Sequence, residues 1–419
     1  MGIKIRLAFM NFLQFFVWGA WLITIGNYWF HTMGWGPTEF GLVFLTLGIA
    51  SLFMPTITGI ISDRWVNAEV VYAVSHLIAG AAVVSFPFIN NPNTFFWIML
   101  IAMSFYMPTI ALTNTISYNA LNKAKLDVVK AFPPIRVWGT IGFIAAMWFT
   151  NLTGNKSSEN MFYISALASL ILGIYSFTLP KCPPEMKANE KSSFVEMFGL
   201  EAFKLFANYK MAIFFIFSML LGASLQLTNM YGDPFLSHFE NIPQYADSFA
   251  VKYSTIVMSV SQMSETLFIL TIPFFLKRFG IKKVMLMSMI AWVLRFAFFG
   301  IGSPEGIGLV FIILSMIVYG MAFDFFNISG SLFIETETDS KMRGSAQGLF
   351  MMMTNGFGTI IGALASGIII EKFFVRPDNS WDWSNIWLAF AGFALIVAIL
   401  FAILFKYKHD PKVVENIQH

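Results

Sequence analysis

Apolar stretches of twenty or more residues recur along almost the whole sequence. A hydrocarbon layer about 30 Å thick takes about 20 helical residues to cross. The runs fall at 7–30, 39–62, 70–90, 94–118, 128–149, 160–180, 210–233, 250–276, 281–302, 307–334, 344–371 and 384–405. They are continuously apolar rather than alternating, which selects helices over a β-barrel. Only 12% of the residues are charged and 57% are hydrophobic, with a mean hydropathy of +0.69. That is half the charge a soluble domain of this size carries, so an ordinary soluble enzyme and a disordered chain are both excluded. The 48 Phe and 12 Trp suit lipid-facing and interfacial surface. The expected fold class is an all-α membrane protein with twelve transmembrane helices. A net charge of +3 gives no footprint for nucleic acid. A single cysteine, Cys182, rules out a disulfide framework or a cysteine zinc site, and His31, His76, His238, His409 and His419 show no ligand spacing. No metal and no cofactor is expected.

Lys and Arg are distributed unevenly between the two sets of loops. One set holds Lys4, Arg6, Arg64, Lys123, Lys204, Lys277, Arg278, Lys341, Arg343 and Lys406, among others; the opposite set holds only Lys156, Lys252, Lys372 and Arg376. Basic loops stay in the cytoplasm, which places both termini there. The first run carries Asn11, Gln14 and three tryptophans and is too long for a signal peptide, so it reads as a retained helix. The longest interior connection, 181–209, is charged at first and turns amphipathic over Phe194–Phe206. It reads as a joint followed either by a helix lying on the membrane face or by a solvated linker helix. The expected organisation is an N-terminal six-helix bundle (1–180), this linker (181–209), a C-terminal six-helix bundle (210–405) and a tail (406–419). Gly59-Ile-Ile-Ser-Asp63-Arg64 at the end of the second run and Lys277-Arg278-Phe279-Gly280 after the eighth form a weak internal repeat. Two repeated halves are a transporter architecture. The first copy resembles the signature loop of the major facilitator superfamily, except that Val66-Asn67-Ala68-Glu69 stands where that loop is basic.

Ionisable residues inside spans are costly and usually face the bundle interior. Glu265 lies midway along the eighth run, three residues after Gln262, within a stretch in which Ser259, Ser261, Ser264 and Thr266 are also polar. It reads as a binding or proton-carrying carboxylate, or as an interhelical hydrogen bond. In the tenth run Tyr319, Phe323 and Asn327 recur every four residues beside Asp324. An aromatic stripe next to a carboxylate suits a flat polar ligand; helix packing is the alternative. Arg136, with Thr140 and Phe143 on its face, reads either as an interior cation or as a side chain snorkelling to the interface. Arg295 has no evident partner. Gln226 and Asn229 pair donors and acceptors on the seventh run. Asn11, Gln14 and Trp18 on the first run, and Asn114, Ser117 and Tyr118 on the fourth, suggest with them a wet central cavity. No phosphate-binding loop occurs, and Gly356, Gly358, Gly362 and Gly367 read as close helix packing.

Six long blocks resemble one family: Leu13–Trp21, Phe132–Phe143, Met211–Gly222, Ser264–Phe275, Tyr319–Gly330 and Met351–Gly358. The family is the nucleoside:proton symporters of the major facilitator superfamily, and the similarity is weakest over 151–210 and 371–386. The resemblance implies the major facilitator fold, a bacterial inner-membrane location, a nucleoside and a proton as the transported pair, and no enzymatic activity. It implies a substrate site of Arg136, Thr140, Phe143, Gln226, Asn229, Gln262, Glu265, Tyr319, Phe323 and Asp324, with Asp324 and Glu265 as candidates for proton coupling. The site is expected between the two halves, worked by alternating access. A xanthosine or sugar symporter on the same fold is the alternative. Lipid is the surrounding medium, and a monomer is expected by analogy.

Overall fold

The computed structural model describes residues 2–184, 200–339 and 342–407. Its chain forms two compact units, Met1–Phe198 and Gly199–His419. The first half of the amphipathic linker and the tail after residue 407 lie outside the described residues. Leu200–Ala207, the described end of that linker, is a 3-10 turn rather than an α-helix. Ala202 is buried there, and Phe206 meets the Phe215 ring at 5.4 Å.

The N-terminal unit holds α1 (Ile3–Gly19), α2 (Pro37–Arg64), α3 (Ala68–Val84), α4 (Pro92–Lys123), α5 (Val128–Leu152) and α6 (Asn160–Ser176). Their starts are chemically marked. Pro37 and Pro92 sit in first turns, where no N–H is needed. The Asn91 side chain accepts from the Asn93 and Thr94 amides, a direct N-cap. Within this unit α1 packs on α5 and α6, α2 on α4, and α3 on α4 and α6.

The C-terminal unit holds α7 (Tyr209–Ser237), α8 (Ser254–Ile269), α9 (Ile272–Phe279), α10 (Ile281–Ile301), α11 (Gly306–Ala322), α12 (Asp324–Glu337), α13 (Arg343–Met351), α14 (Thr359–Phe373) and α15 (Trp383–Leu404). Asn208 caps α7 as Asn91 caps α4. Here α7 packs on α14 and the segment before it, α8 on α11, and α10 on α11, α12 and α15. By order of predicted run, the dominant pairs are first with fifth, second with fourth and third with sixth in one unit. In the other they are seventh with eleventh, eighth with tenth and ninth with twelfth. The repeat is faint in sequence and plain in packing.

Eight helices among the described residues are long and apolar enough to cross a membrane, or nine if the bent pair α8–α9 is one span. The other three predicted runs fold as α1, α5 and α6. Four runs expected as continuous helices are interrupted. The first stops at Gly19 and resumes through a short turn of helix and a π-helical stretch, Tyr28–Thr32. The carbonyl of Ala20, freed by that break, accepts from the Thr24 and Thr150 hydroxyls. The eighth bends by 56° between α8 and α9. Pro273 in the first turn of α9 has no N–H for the preceding helix and its ring crowds the earlier carbonyl. The tenth breaks at Phe323. The eleventh contains a π-helical stretch, Met352–Gly358. Hydrocarbon offers no water to a loose backbone group, so such breaks persist where other side chains satisfy them.

Candidate functional site

In the C-terminal unit the break in the tenth run sets the geometry. Tyr319 lies in the last turn of α11, Phe323 is the hinge, with φ −91° and ψ −58°, and Asp324 opens α12. A carboxylate in the first turn faces the positive end of the helix dipole. The backbone cost is met from α10, where the Ser288 hydroxyl donates to the Ala322 carbonyl. Asp324 and Tyr319 are buried, while Phe323 and Asn327 are half-buried. The Phe323 ring has no aromatic neighbour among the described residues. Tyr319 sits in the electrostatic field of Glu265, Arg295 and Asp324 together. The expected stripe of Tyr319, Phe323 and Asn327 therefore becomes a hinged face with a carboxylate at the hinge.

The α8 helix divides its polar residues by face. The Ser261 hydroxyl donates to Met316 Sδ at 3.1 Å and the Ser264 hydroxyl to the Ile317 carbonyl. These serines fasten α8 to α11. Gly320 permits the approach, since a Cβ there would lie 2.7 Å from the Ser264 carbonyl carbon. Gln262 and Glu265 are half-buried on a different face. Gln262 Oε1 meets no donor among the described residues.

On α7, the Gln226 amide donates to Thr359 Oγ1 at 3.1 Å, and its Oε1 meets no donor among the described residues. Asn229 is half-buried. The α7 backbone is pressed against the π-helical stretch: a Cβ on Gly222 would stand 2.0 Å from the Thr354 carbonyl oxygen. Gly358 and Gly362 press against Met219 and Ala223 in the same way. Close packing, read from those glycines, is what they do. Ala223 is thus a packing residue facing α14.

The N-terminal unit carries Arg136, Thr140 and Phe143 on α5, all half-buried. The Arg136 guanidinium stacks over the Phe15 ring of α1, 4.2 Å from its centroid. Gly139 makes room for it: a Cβ there would lie 2.6 Å from Arg136 Nη1. Gly142 and Gly19 let α1 and α5 touch, with a Gly19 Cβ only 2.5 Å from the Phe143 carbonyl oxygen. The Phe143 ring has no aromatic neighbour among the described residues.

Of the polar stripe on α1, Asn11 and Gln14 are buried within the unit and Trp18 is half-buried. Gln14 is fully buried inside the unit. Its amide donates to Thr109 at 2.8 Å, its Oε1 accepts from the Tyr72 hydroxyl at 2.7 Å, and it faces His76 Nε2 at 2.8 Å. His76 Nδ1 faces Ser169 Oγ at 3.1 Å. Asn11 turns back to the Leu7 carbonyl. These groups join α1, α3, α4 and α6. The spacing of His76 in a sequence carries no sign of this, because its partners are 62 and 93 residues away. Among the described residues no cluster of three or more His, Cys, Asp or Glu could hold a metal ion.

Comparison with known proteins decides the family. The profile described as Nucleoside H+ symporter matches residues 1–410. The chain belongs to the nucleoside H+ symporter family. It is 52% identical to the xanthosine permease of Escherichia coli, over all of this chain and 99% of that one. It is 50% identical to the nucleoside permease NupG of the same organism, over the full length of both. The crystal structure of NupG superimposes with a TM-score of 0.91, covering 97% of this chain and all of that one at 50% identity. A POT-family peptide transporter, 12% identical with a TM-score of 0.73, shares the fold alone. This symporter therefore has the major facilitator fold: all-α and multi-pass, with the chain in two compact units. It is a transporter and not an enzyme.

Proposed function

We propose that this protein takes up nucleosides together with protons across the bacterial inner membrane, by alternating access, with both termini in the cytoplasm. The family match over residues 1–410 carries the reading. The chemistry of both units supports it. In the C-terminal unit, Gln226, Asn229 and Gln262 offer amides to base edges and ribose hydroxyls. Tyr319 and Phe323 offer ring faces for a base, and Asp324 and Glu265 accept from hydroxyls or take the proton. In the N-terminal unit, Phe143 offers a further ring, and Arg136 and Thr140 offer donors.

A carboxylate away from bulk water is easier to protonate, which suits proton uptake at physiological pH. Protonation with substrate bound shifts the balance between outward and inward states, because each ligand binds one state better than the other. With a neutral nucleoside, one proton moves one charge. That is worth about 2.3 kcal/mol per 100 mV, or roughly a fifty-fold concentration ratio.

Competition of labelled uridine uptake in energised vesicles tests the reading. Nucleosides should compete and sugars should not, and a protonophore should abolish accumulation. Competition by sugars, or by xanthosine alone, would replace the substrate assignment. Uptake indifferent to the protonophore would remove the proton.

A further inference from the structure

Arg295 on α10 is fully buried. It is not bonded to a carboxylate among the described residues, and the Tyr319 phenol beneath it is neutral. Its Nε donates to Thr228 Oγ1 on α7 at 3.2 Å. Its Nη1 donates to Ser261 Oγ on α8 at 3.2 Å and to the Ser315 carbonyl on α11 at 2.8 Å. Nη2 meets no acceptor among the described residues. The guanidinium lies over the Tyr319 ring, 4.4 Å from its centroid, and Trp292, one turn earlier on α10, meets that ring edge-on at 5.9 Å.

A buried cation with one nitrogen unmet and no ion partner is a poor way to hold a fold, since its desolvation is not recovered. What it touches is more informative. Thr228 directly precedes Asn229, Ser261 directly precedes Gln262, and Ser315 lies one turn before Tyr319 on α11. Adjacent helical residues point about 100° apart. One planar fork thus grips the backs of three helices whose other faces carry the proposed binding side chains. It also seats the one ring among them that is buried.

We infer that Arg295 is a positioning residue for substrate recognition: it fixes the register of α7, α8 and α11 and the plane of the Tyr319 ring. This rests on the nucleoside site proposed above. Shape and charge both count. A lysine ammonium is a point charge that cannot reach three helices at once or lie flat on a ring.

The test is uridine uptake kinetics in proteoliposomes, with thermal melting of the purified protein alongside. Arg295→Met should melt no lower than wild type, because the buried charge is gone and the volume is nearly kept. Its KM should rise about tenfold, with kcat within about twofold. Arg295→Lys should not restore the KM. A merely structural role would lower the amount of active protein and leave KM where it was. Wild-type KM in a folded Arg295→Met, or full rescue by Arg295→Lys, overturns the inference. Should Arg295→Met fail to fold, Thr228→Val decides, since it removes a single arm of the fork. A KM raised several-fold supports the inference and an unchanged KM overturns it. A wild-type protein that takes up no uridine would instead bring down the functional reading, and the inference with it.

Discussion

Two carboxylates of the C-terminal unit are the proposed candidates for coupling, and their surroundings differ. Asp324 opens α12 at a helix break and is buried, whereas Glu265 is half-buried towards the C-terminal end of α8. Asp324→Ala should abolish uridine uptake while the amount of protein in the membrane stays unchanged; normal accumulation in vesicles would take Asp324 out of the site. Glu265→Gln keeps the shape and the hydrogen-bonding reach of the side chain but cannot lose or gain the proton. It should leave uridine binding within about fivefold, since neutral hydrogen bonds differ from charged ones by about 1 kcal/mol, and remove accumulation against a gradient. If accumulation driven by the proton gradient survives, Glu265 is not the carrier. Residue chemistry of this kind was legible before the fold, because an acid in an apolar run has few reasons to be there. What it bonds to was not legible. Gln14 and Gln262 are equally conspicuous in sequence, yet Gln14 is locked into a buried network and Gln262 keeps an unmet oxygen.

Helices here meet through glycines and break where another helix can repair them. Gly222 against the Thr354 carbonyl is the tightest such contact, with a Cβ placed at 2.0 Å. Gly222→Val should force α7 away from the π-helical stretch and cost about 3 kcal/mol, the upper end of ordinary overpacking, seen as a lowered melting temperature. A melting temperature unchanged within error would show that the contact is slack. The connection before α15 behaves differently. Arg376 pairs with Asp382 at 3.1 Å, and the Asp378 carboxylate accepts from the Ser380 hydroxyl and amide. Hydrogen bonds from Ser380 hold the Asp378 carboxyl below its usual range, and that from Asn385, with help from Arg376, does the same for Asp382. Groups with depressed folded values stabilise above the unfolded pKa, about 4, and lose that contribution as pH falls further. The loop should therefore keep its hydrogen-exchange protection unchanged from pH 5 to 8 and loosen only below about pH 4. Loosening near pH 6 would contradict this. Any change in uptake across the physiological range accordingly belongs to groups elsewhere. The departure from the superfamily's signature loop also has an element-scale reason. Buried Glu69 accepts from the Asn67 side chain at 2.9 Å and from the Cys182 amide at 2.7 Å, so an acid there ties the start of α3 to the chain leaving α6.

At the scale of the molecule, two units repeat one pattern of helix pairing, and the loop charges propose a direction for it. With Cys182 replaced by serine, Thr153→Cys in the exposed turn after α5 should react with a membrane-impermeant maleimide in intact cells. Lys4→Cys should react only after the cells are opened. The reverse pattern would invert the proposed topology. Direction matters to function because the proton gradient has a sign: uptake runs downhill for the proton only when the site loads from the outside.

The sequence by itself determined that the chain crosses the membrane several times and does so as helices. Continuous apolar runs of that length have one way to satisfy their backbone in hydrocarbon. It also marked the ionisable residues, because a charge there stands out against everything around it. Through long, specific blocks it carried the family. Only the tertiary structure decided how the breaks in the first and tenth runs are met, since hydroxyls from other helices, Thr150 and Ser288, bond the freed carbonyls. Only it separated the polar side chains that glue a bundle from those left with unmet atoms. It also gave Arg295 its partners on three other helices, 20 to 67 residues away, at separations no local spacing reveals.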